Sequence, residues 1–152
     1  MNWDNKFINL CDHIASWSKD TSTKVGAVIV NDRNKILSIG YNGLPIGVND
    51  NVLSRHERPE KYNWFEHAER NAIYSSAELG LSLKDATLYC NYLPCPDCSR
   101  AIIQSGIKEV IYKHADPNSG KTSKNWQQAK EISIEMLTEA RIRIRKYERT
   151  TN

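Results

Sequence analysis

The alternation of apolar and polar residues in the first quarter of the chain predicts one helix followed by two strands. Apolar side chains recur along residues 3–17 at alternating steps of four and three, the spacing of one helical face. This apolar stripe comprises Trp3, Phe7, Leu10, Ile14 and Trp17. Residues 25–30 form a continuous apolar run typical of a buried strand, and residues 35–41 read as a second strand. The polar residues 31–34 between them predict a hairpin.

From residue 67 onwards, helical and extended segments alternate. The predicted segments are a helix at 67–79, a strand at 86–92, a helix at 95–105, a strand at 108–113, a helix at 126–140 and a strand at 141–147. Gly80 and Gly106 follow two of the helices, and Pro96 opens one, which are preferred positions for these residues. The order predicts an α/β fold: a single domain over residues 1–152, a three-layer α-β-α sandwich with a mixed five-stranded sheet and helices on both faces.

Residues 42–66 show no regular period. The segment contains Gly43, Pro45, Gly47 and Pro59, together with a charged run at 55–58. Structureless stretches of this length are uncommon in compact domains and often form lids or binding loops. We expect a long loop here that either covers a site or is a solvated excursion of the surface.

Composition removes several classes of protein. With 39% hydrophobic and 26% charged residues, the chain of 152 residues matches an ordinary globular protein rather than a disordered one. No apolar run approaches the ~20 residues that span a bilayer, and the first residues lack a signal-peptide pattern, so we expect a cytoplasmic protein. The net charge of +3 suits a small phosphorylated ligand better than duplex nucleic acid.

Two short motifs carry the candidate chemistry, and each lies at the start of a predicted helix. The first is His67-Ala68-Glu69, and the second is Pro94-Cys95-Pro96-Asp97-Cys98. Cys95 and Cys98 are three positions apart, so their thiolates face the same way on a first helical turn. With His67 they form a set of one nitrogen and two sulfurs, which suits zinc and leaves a fourth position open for water.

Glu69 distinguishes a catalytic zinc site from a structural one. A carboxylate beside the open position accepts the proton of an activated water and delivers it to the departing group. His-x-Glu followed by Pro-Cys-x-x-Cys is the pattern of zinc deaminases that act on nucleobases. The alternative is a structural zinc with Cys90 or another histidine as fourth ligand, which leaves Glu69 unexplained. Otherwise Cys90 and Cys11 are expected to be core thiols.

Over almost its whole length the chain resembles the deoxycytidylate (dCMP) deaminases of phages and bacteria. The resemblance lies in Ser-Lys-Asp at 18–20, in Ser-Thr-Lys-Val-Gly-Ala at 22–27, and in Gly-Tyr-Asn-Gly at 40–43 with Pro45 and Gly47. His-Ala-Glu-Arg-Asn-Ala-Ile at 67–73, the cysteine motif and Gln-Ser-Gly-Ile-Lys at 104–108 complete it. All cytidine-type deaminases share the zinc motif, so the first two blocks indicate the substrate.

The resemblance implies hydrolysis of dCMP to dUMP and ammonia, which supplies thymidylate synthesis. It assigns zinc to His67, Cys95 and Cys98, proton transfer to Glu69, and a sugar hydroxyl to Asn42. The polar segment after the first helix is the candidate phosphate site, although its lysines are equally compatible with solvated positions. The candidates there are Lys19, Ser22, Thr23 and Lys24. Tyr92, just before the cysteine motif, is expected either to wall the base pocket or to be a core aromatic.

Members of this family are often homohexamers that are activated by dCTP and inhibited by dTTP, with Mg²⁺ on the effector. The resemblance therefore makes Gly40, Tyr41, Gly43 and Gly47 candidate effector-binding residues. Some relatives hold a second zinc with additional Cys and His in the segment 42–66. Here that segment has His56 and no cysteine, so we expect one zinc. The loop 115–124 has no assignable counterpart.

Two alternatives remain at this point. One is another deaminase of the same fold, acting on tRNA adenosine, on a free nucleoside or in the riboflavin pathway. The candidate basic face for RNA lies at 141–146, where arginines mostly alternate with Ile142 and Ile144, as expected for a half-buried strand with a solvated outer side. The other is a zinc-stabilised binding module without catalysis.

Overall fold

A computed structural model of the chain describes residues 2–116 and 124–150. The helices are α1 (Trp3–Ala15), α2 (Lys61–Trp64), α3 (Ala68–Glu78), α4 (Pro96–Gln104) and α5 (Lys124–Glu139). The strands are β1 (Gly26–Val30), β2 (Ile36–Tyr41), β3 (Thr87–Tyr92), β4 (Glu109–His114) and β5 (Arg143–Lys146). Most of the unassigned loop 115–124 lies outside the described residues. None of the described helices is long and apolar enough to span a membrane.

The five strands form one mixed sheet in the order β2-β1-β3-β4-β5. β1 runs antiparallel to both β2 and β3, whereas β3, β4 and β5 run parallel. The hairpin and the mixed five-stranded sheet predicted from the sequence are therefore confirmed. The parallel strands are joined through α4 and α5, which is the usual way in which such connections cross a sheet.

Helices cover both faces of the sheet, as predicted, because successive side chains of β1 point to opposite sides. Val28 and Val30 pack in the cluster that contains Phe7 and Ile8 of α1. Ala27 and Ile29 point the other way, into a second cluster built from α3, α4 and α5. That second cluster includes Ala68, Ala72, Ile102 and Leu137. Cys11 and Cys90 are fully buried, one in each cluster, as expected for core thiols.

The first helix is shorter than its apolar stripe predicts. It ends at Ala15, and Trp17 at the end of the predicted stripe is exposed, as is Trp3 at its beginning. The buried face instead comprises Phe7, Ile8, Cys11, Ile14 and Ala15. The stripe is wrong at its ends because Trp3 lies in the first turn, before the residues that pack against the sheet, and Trp17 lies beyond the end of the helix.

Gly40 of β2 lies directly beneath α3 and fixes how closely that helix approaches the sheet. A Cβ atom at this position would lie 2.3 Å from the Ala68 carbonyl oxygen and 2.5 Å from the Ala72 backbone nitrogen. Both are backbone atoms, so the clash is relieved only by moving the helix. Gly40 therefore acts in packing, and it lines neither of the two cavities described below.

We expect Gly40→Ala to lower the free energy of unfolding by about 1–3 kcal/mol, the usual cost of inserting a methyl group into a packed core. Urea denaturation measures the change. Gly43→Ala is the matched control, since no atom lies within 4 Å of the added Cβ at position 43. Equal stability of the two variants would contradict the packing role of Gly40.

The segment 42–66 forms an excursion that leaves the sheet after β2 and returns to nearly the same place. Gly43 and Glu66 exchange two backbone hydrogen bonds, with N···O distances of 3.1 and 2.7 Å, so the ends of the segment lie side by side. Between them are a 3-10 turn at Leu53–His56 and the single-turn helix α2. The segment thus contains two short helical turns that its sequence did not predict.

Candidate active site

Two helices begin at the same point above the sheet. α3 begins just after the excursion returns, with His67 as the residue preceding its first turn, and α4 begins just after β3, with Cys95 in the same position. The Cys95 sulfur accepts a hydrogen bond from the backbone N–H of Cys98 at 3.5 Å, and Pro96 occupies the first helical position. Glu69 and Cys98 each lie in a first helical turn, so the fold brings both motifs together as the sequence predicts.

The three candidate metal ligands form a compact set. The Nδ1 atom of His67 lies 3.4 Å from the sulfur of Cys95 and 3.4 Å from the sulfur of Cys98. All three ligand atoms lie within 4.8 Å of one another. In a tetrahedral zinc site, the ordinary Zn–S and Zn–N bond lengths separate nitrogen from sulfur by about 3.5 Å. The donor set and its spacing therefore fit zinc.

The electrostatics of the two thiols favour metal binding. A hydrogen bond from Cys98 and a further one from His67 lower the pKa of Cys95 to about 4, against the opposing effect of burial. The same Cys95–Cys98 hydrogen bond, together with burial, raises the pKa of Cys98. The hydrogen bond to Cys95 also raises the pKa of His67. Zinc takes cysteine ligands as thiolates, so its binding here would displace the proton of Cys98.

Glu69 lies beside the metal-binding atoms without belonging to the compact set. Its Oε2 atom lies 3.3 Å from the Cys98 sulfur, and the residue is 5% exposed. Burial raises the pKa of this carboxyl group. A buried carboxyl group beside the candidate metal ligands is placed to take up a proton and release it again, which is what a proton shuttle requires.

A cavity of about 240 Å³ opens above these residues. His67, Glu69 and Cys95 line it, and Glu69 is buried at its floor. Of the predicted substrate-binding residues, Thr23, Asn42 and Tyr92 also line it. The excursion contributes side chains that the sequence did not single out, namely Arg58, Lys61, Tyr62 and Phe65. The segment 42–66 is therefore part of the cavity wall.

The Asn42 side chain holds one wall of the cavity in shape. Its Oδ1 atom accepts a hydrogen bond from the Val25 backbone N–H at 2.9 Å. Its amide nitrogen donates to the Thr23 carbonyl at 2.9 Å and to Asp20 at 3.3 Å. Both amide hydrogens are therefore used within the chain, and only the second lone pair of Oδ1 remains for a ligand. Contact with a sugar hydroxyl stays a prediction for this residue.

Three of the four candidates for phosphate binding, Lys19, Ser22 and Lys24, do not line this cavity. Lys19 forms an ion pair with Asp50 and lines a different cavity, and Ser22 and Lys24 are exposed. The reason is a tight turn: the Asp20 carboxylate accepts the backbone N–H groups of Ser22 and Thr23 at 2.7 and 3.2 Å. Thr23 alone of the four phosphate candidates lines the active-site cavity.

A second cavity, of about 220 Å³, lies on the neighbouring side of the excursion. Of the predicted effector-binding residues, Tyr41, Gly43 and Gly47 line it, whereas Gly40 does not. Asn42 and Phe65 line both cavities, so the two spaces are neighbours and share part of their wall.

A buried ion pair joins the excursion to the wall opposite it. The Lys61 ammonium donates to both carboxylate oxygens of Asp20, at 3.1 and 3.0 Å, and each side chain is only 7% exposed. Burial opposes ionisation of Asp20, but the Ser22 N–H and the Lys61 ammonium hold its pKa below the ordinary value. No pattern in the sequence indicates this pair, because its members are separated by 41 positions and the segment that carries Lys61 shows no regular hydrophobic period.

Comparison with known proteins agrees with this site. The family model for the cytidine and deoxycytidylate deaminase zinc-binding region matches residues 1–114. A protein described as an uncharacterized deaminase in the luxG 3'region of Aliivibrio fischeri is 34% identical over 142 residues, covering 93% of this chain and 91% of that protein. The human deoxycytidylate deaminase is 41% identical over 117 residues. These are 74% of this chain and 65% of the length of the human enzyme.

Among solved structures, the dCMP deaminase of the cyanophage S-TIM5, in complex with dCMP and dUMP, superposes with a TM-score of 0.75. It is 26% identical in sequence, and the match covers 94% of this chain and 95% of that one. The fold is therefore that of the cytidine deaminases. The range matched by the family model contains His67, Glu69, Cys95 and Cys98. The chain belongs to the cytidine and deoxycytidylate deaminase family.

Proposed function

We propose that this chain is a zinc-dependent hydrolase that converts dCMP and water to dUMP and ammonia. The observation that carries the proposal is the buried Glu69 carboxyl group, which lies 3.3 Å from the Cys98 sulfur on the floor of the cavity. A structural zinc site has no use for a buried carboxyl group at this place. The likeness to a phage enzyme whose structure contains dCMP and dUMP supports the choice of substrate.

His67, Cys95 and Cys98 are the residues that would hold the zinc ion. Bound there, zinc would supply a Lewis acid that makes a water molecule acidic enough to act as a nucleophile near neutral pH. The residues of the chain then handle the protons. Glu69 accepts a proton from the attacking water and delivers it to N3 of the cytosine ring. A second proton transfer through Glu69 converts the 4-amino group to ammonia as its bond to C4 breaks.

The shape of the cavity suits a nucleotide with its base inward. The floor is buried and carries Glu69, whereas Arg58 and Tyr62 at the mouth are exposed. Val25, Phe65 and Tyr92 also line the cavity and offer apolar surface to the faces of a base. The reacting C4 atom belongs next to Glu69, which directs the sugar and the phosphate towards the mouth.

Ammonia release from dCMP, CMP, deoxycytidine and dCTP by the zinc-loaded protein tests this function. We expect dCMP to give the highest kcat/KM of the four, and metal analysis to find one zinc per chain. A zinc-loaded protein that releases ammonia from none of the four would overturn the proposal. The remaining hypotheses would then be a deaminase of the same fold with another substrate and a zinc-stabilised binding module without catalysis.

The finer functional expectations are also part of the proposal. dCTP as activator and dTTP as inhibitor, with Mg²⁺ on the nucleotide, are assigned to the second cavity, which Tyr41, Gly43 and Gly47 line. The two residues that line both cavities, Asn42 and Phe65, give an effector there a direct route to the substrate. A homohexamer and a cytoplasmic location, where thiolate ligands stay reduced, complete the proposal.

Ion pairs within the chain engage two arginines of β5, the candidate basic face, and this disfavours binding of an RNA substrate. β5 is an edge strand, and Arg143 on it pairs with Glu109. Arg145 pairs with Asp4 at 2.6 Å and with Glu109 at 3.4 Å. These guanidinium groups are neutralised within the chain, so they offer little net charge to a phosphate backbone.

A further inference from the structure

Three cationic side chains line the active-site cavity: Arg58, Lys61 and His67. Two of them already interact with other side chains of this protein. Lys61 donates to both oxygens of Asp20 in the buried ion pair, and His67 faces the two cysteine sulfurs at 3.4 Å. Arg58 is the remaining cation, and no motif in the sequence distinguishes it from its charged neighbours at 55–58.

The carboxylates that line the cavity also have partners other than Arg58. Asp20 pairs with Lys61, Glu66 pairs with Arg70 at 2.6 Å, and Glu69 lies at the floor with the metal-binding atoms. Within the part of the chain that the structure describes, no carboxylate forms an ion pair with Arg58. The mouth of the cavity therefore carries one uncompensated positive charge, on this guanidinium group.

The position of Arg58 matches the far end of a nucleotide. Arg58 and Glu69 both line the cavity, and Arg58 is exposed whereas Glu69 is only 5% exposed, which favours the open end of the cavity for Arg58. Its guanidinium group lies 5.9 Å from the centre of the Tyr62 ring, which gives the group a supporting surface without using its hydrogen-bond donors. When the base of a nucleoside 5′-monophosphate reaches Glu69, the phosphate is the group left at the mouth.

We propose that Arg58 recognises the 5′-phosphate of the substrate and so determines the preference for a nucleotide over a nucleoside. A guanidinium group presents paired N–H donors that match two phosphate oxygens, and the phosphate carries nearly two negative charges at pH 7. This inference rests on the proposed deamination of dCMP. It replaces Lys19 and Lys24 as the cationic partner of the phosphate, because the structure places neither of them at this cavity.

The test compares each nucleotide with its nucleoside, so that the phosphate is the only difference. In the zinc-loaded protein, Arg58→Ala is expected to raise KM for dCMP about 10- to 100-fold, the range for losing a hydrogen bond between charged groups, and to change KM for deoxycytidine less than threefold. Isothermal titration should likewise show that Arg58→Ala weakens binding of the product dUMP much more than binding of deoxyuridine. Arg58→Lys keeps the charge without the paired donors and should fall between Arg58→Ala and the wild type.

Arg55→Ala is the matched control, because Arg55 belongs to the same excursion but stacks on Trp64 at 4.0 Å and does not line the cavity. Its ratio of KM values should stay within about twofold of the wild type. Equal weakening of dCMP and deoxycytidine by Arg58→Ala would overturn the assignment, as would a nucleotide-specific loss in Lys24→Ala instead. Both results leave deamination of dCMP intact, whereas a wild-type protein that binds neither dUMP nor dCMP refutes the proposed function and the role of Arg58 together.

Discussion

The Glu69→Gln variant is expected to fold and to bind one zinc per chain, yet to lose at least a hundredfold in kcat for dCMP. Glutamine keeps the shape and volume of the side chain, and position 69 is not one of the candidate metal ligands, so fold and zinc content should be unchanged. What it removes is the carboxyl group that exchanges protons, and general acid–base catalysis is typically worth ~10²–10⁴ in rate. Because Glu69 acts twice in the proposed sequence of steps, the upper part of that range is expected.

Ammonia release measures this loss, and metal analysis with circular dichroism verifies zinc content and fold. Glu78→Gln is the matched control, since Glu78 is the last residue of the same helix and is exposed at the end remote from the cavity. It should retain the wild-type rate. A Glu69→Gln protein with near-normal turnover would show that the buried carboxyl group has no part in proton transfer.

The Lys61→Met variant is expected to lower the free energy of unfolding by about 3 kcal/mol. Removing one partner of a buried ion pair leaves an uncompensated charge, and such losses are typically 3–5 kcal/mol. Asp20 keeps hydrogen bonds from Ser22, Thr23 and Asn42, which places the expected loss at the lower end. Urea denaturation measures it. The double variant Asp20→Asn/Lys61→Met should lose less than the sum of the two single variants, because it leaves no unpaired charge.

The matched control is Lys19→Met, which breaks an ion pair between the same residue types at the surface. Lys19 and Asp50 are 65% and 38% exposed, so this loss should be less than about 1 kcal/mol. Equal losses in the two lysine variants would show that burial adds nothing to the Lys61–Asp20 pair.

Acid should remove the difference between Lys61→Met and the wild type. The pKa of Asp20 is lowered in the folded protein, so its pairing stabilises the fold above the ordinary aspartate value of about 4. That contribution is lost as the pH falls through the folded-state pKa. The two denaturation curves should therefore converge below about pH 4.

The candidate metal-binding residues could be predicted because each motif is local. Cys95 and Cys98 share one helical turn, and Glu69 follows His67 by two positions, so sequence spacing alone fixes how each set of side chains is presented. The order of strands and helices could be predicted as well. Burial on both faces makes β1 a continuous apolar run, and the helices show apolar residues at helical spacing. The buried face of α1 could not be predicted as well, because an apolar spacing does not show where the helix ends or which of its residues meet the sheet.

The sequence by itself determined the fold class and indicated the candidate zinc ligands and the candidate proton-transferring carboxyl group, since each of their motifs lies within a few neighbouring residues. The tertiary structure alone decided which charges are available at the cavity. Lys19 and Lys24 look suited to a phosphate in sequence, but the Asp20 turn directs them away from the cavity. Lys61 and Arg58 reach it from a segment without regular period. Whether a cation is free or neutralised depends on a partner distant in the chain, and sequence patterns do not encode that distance.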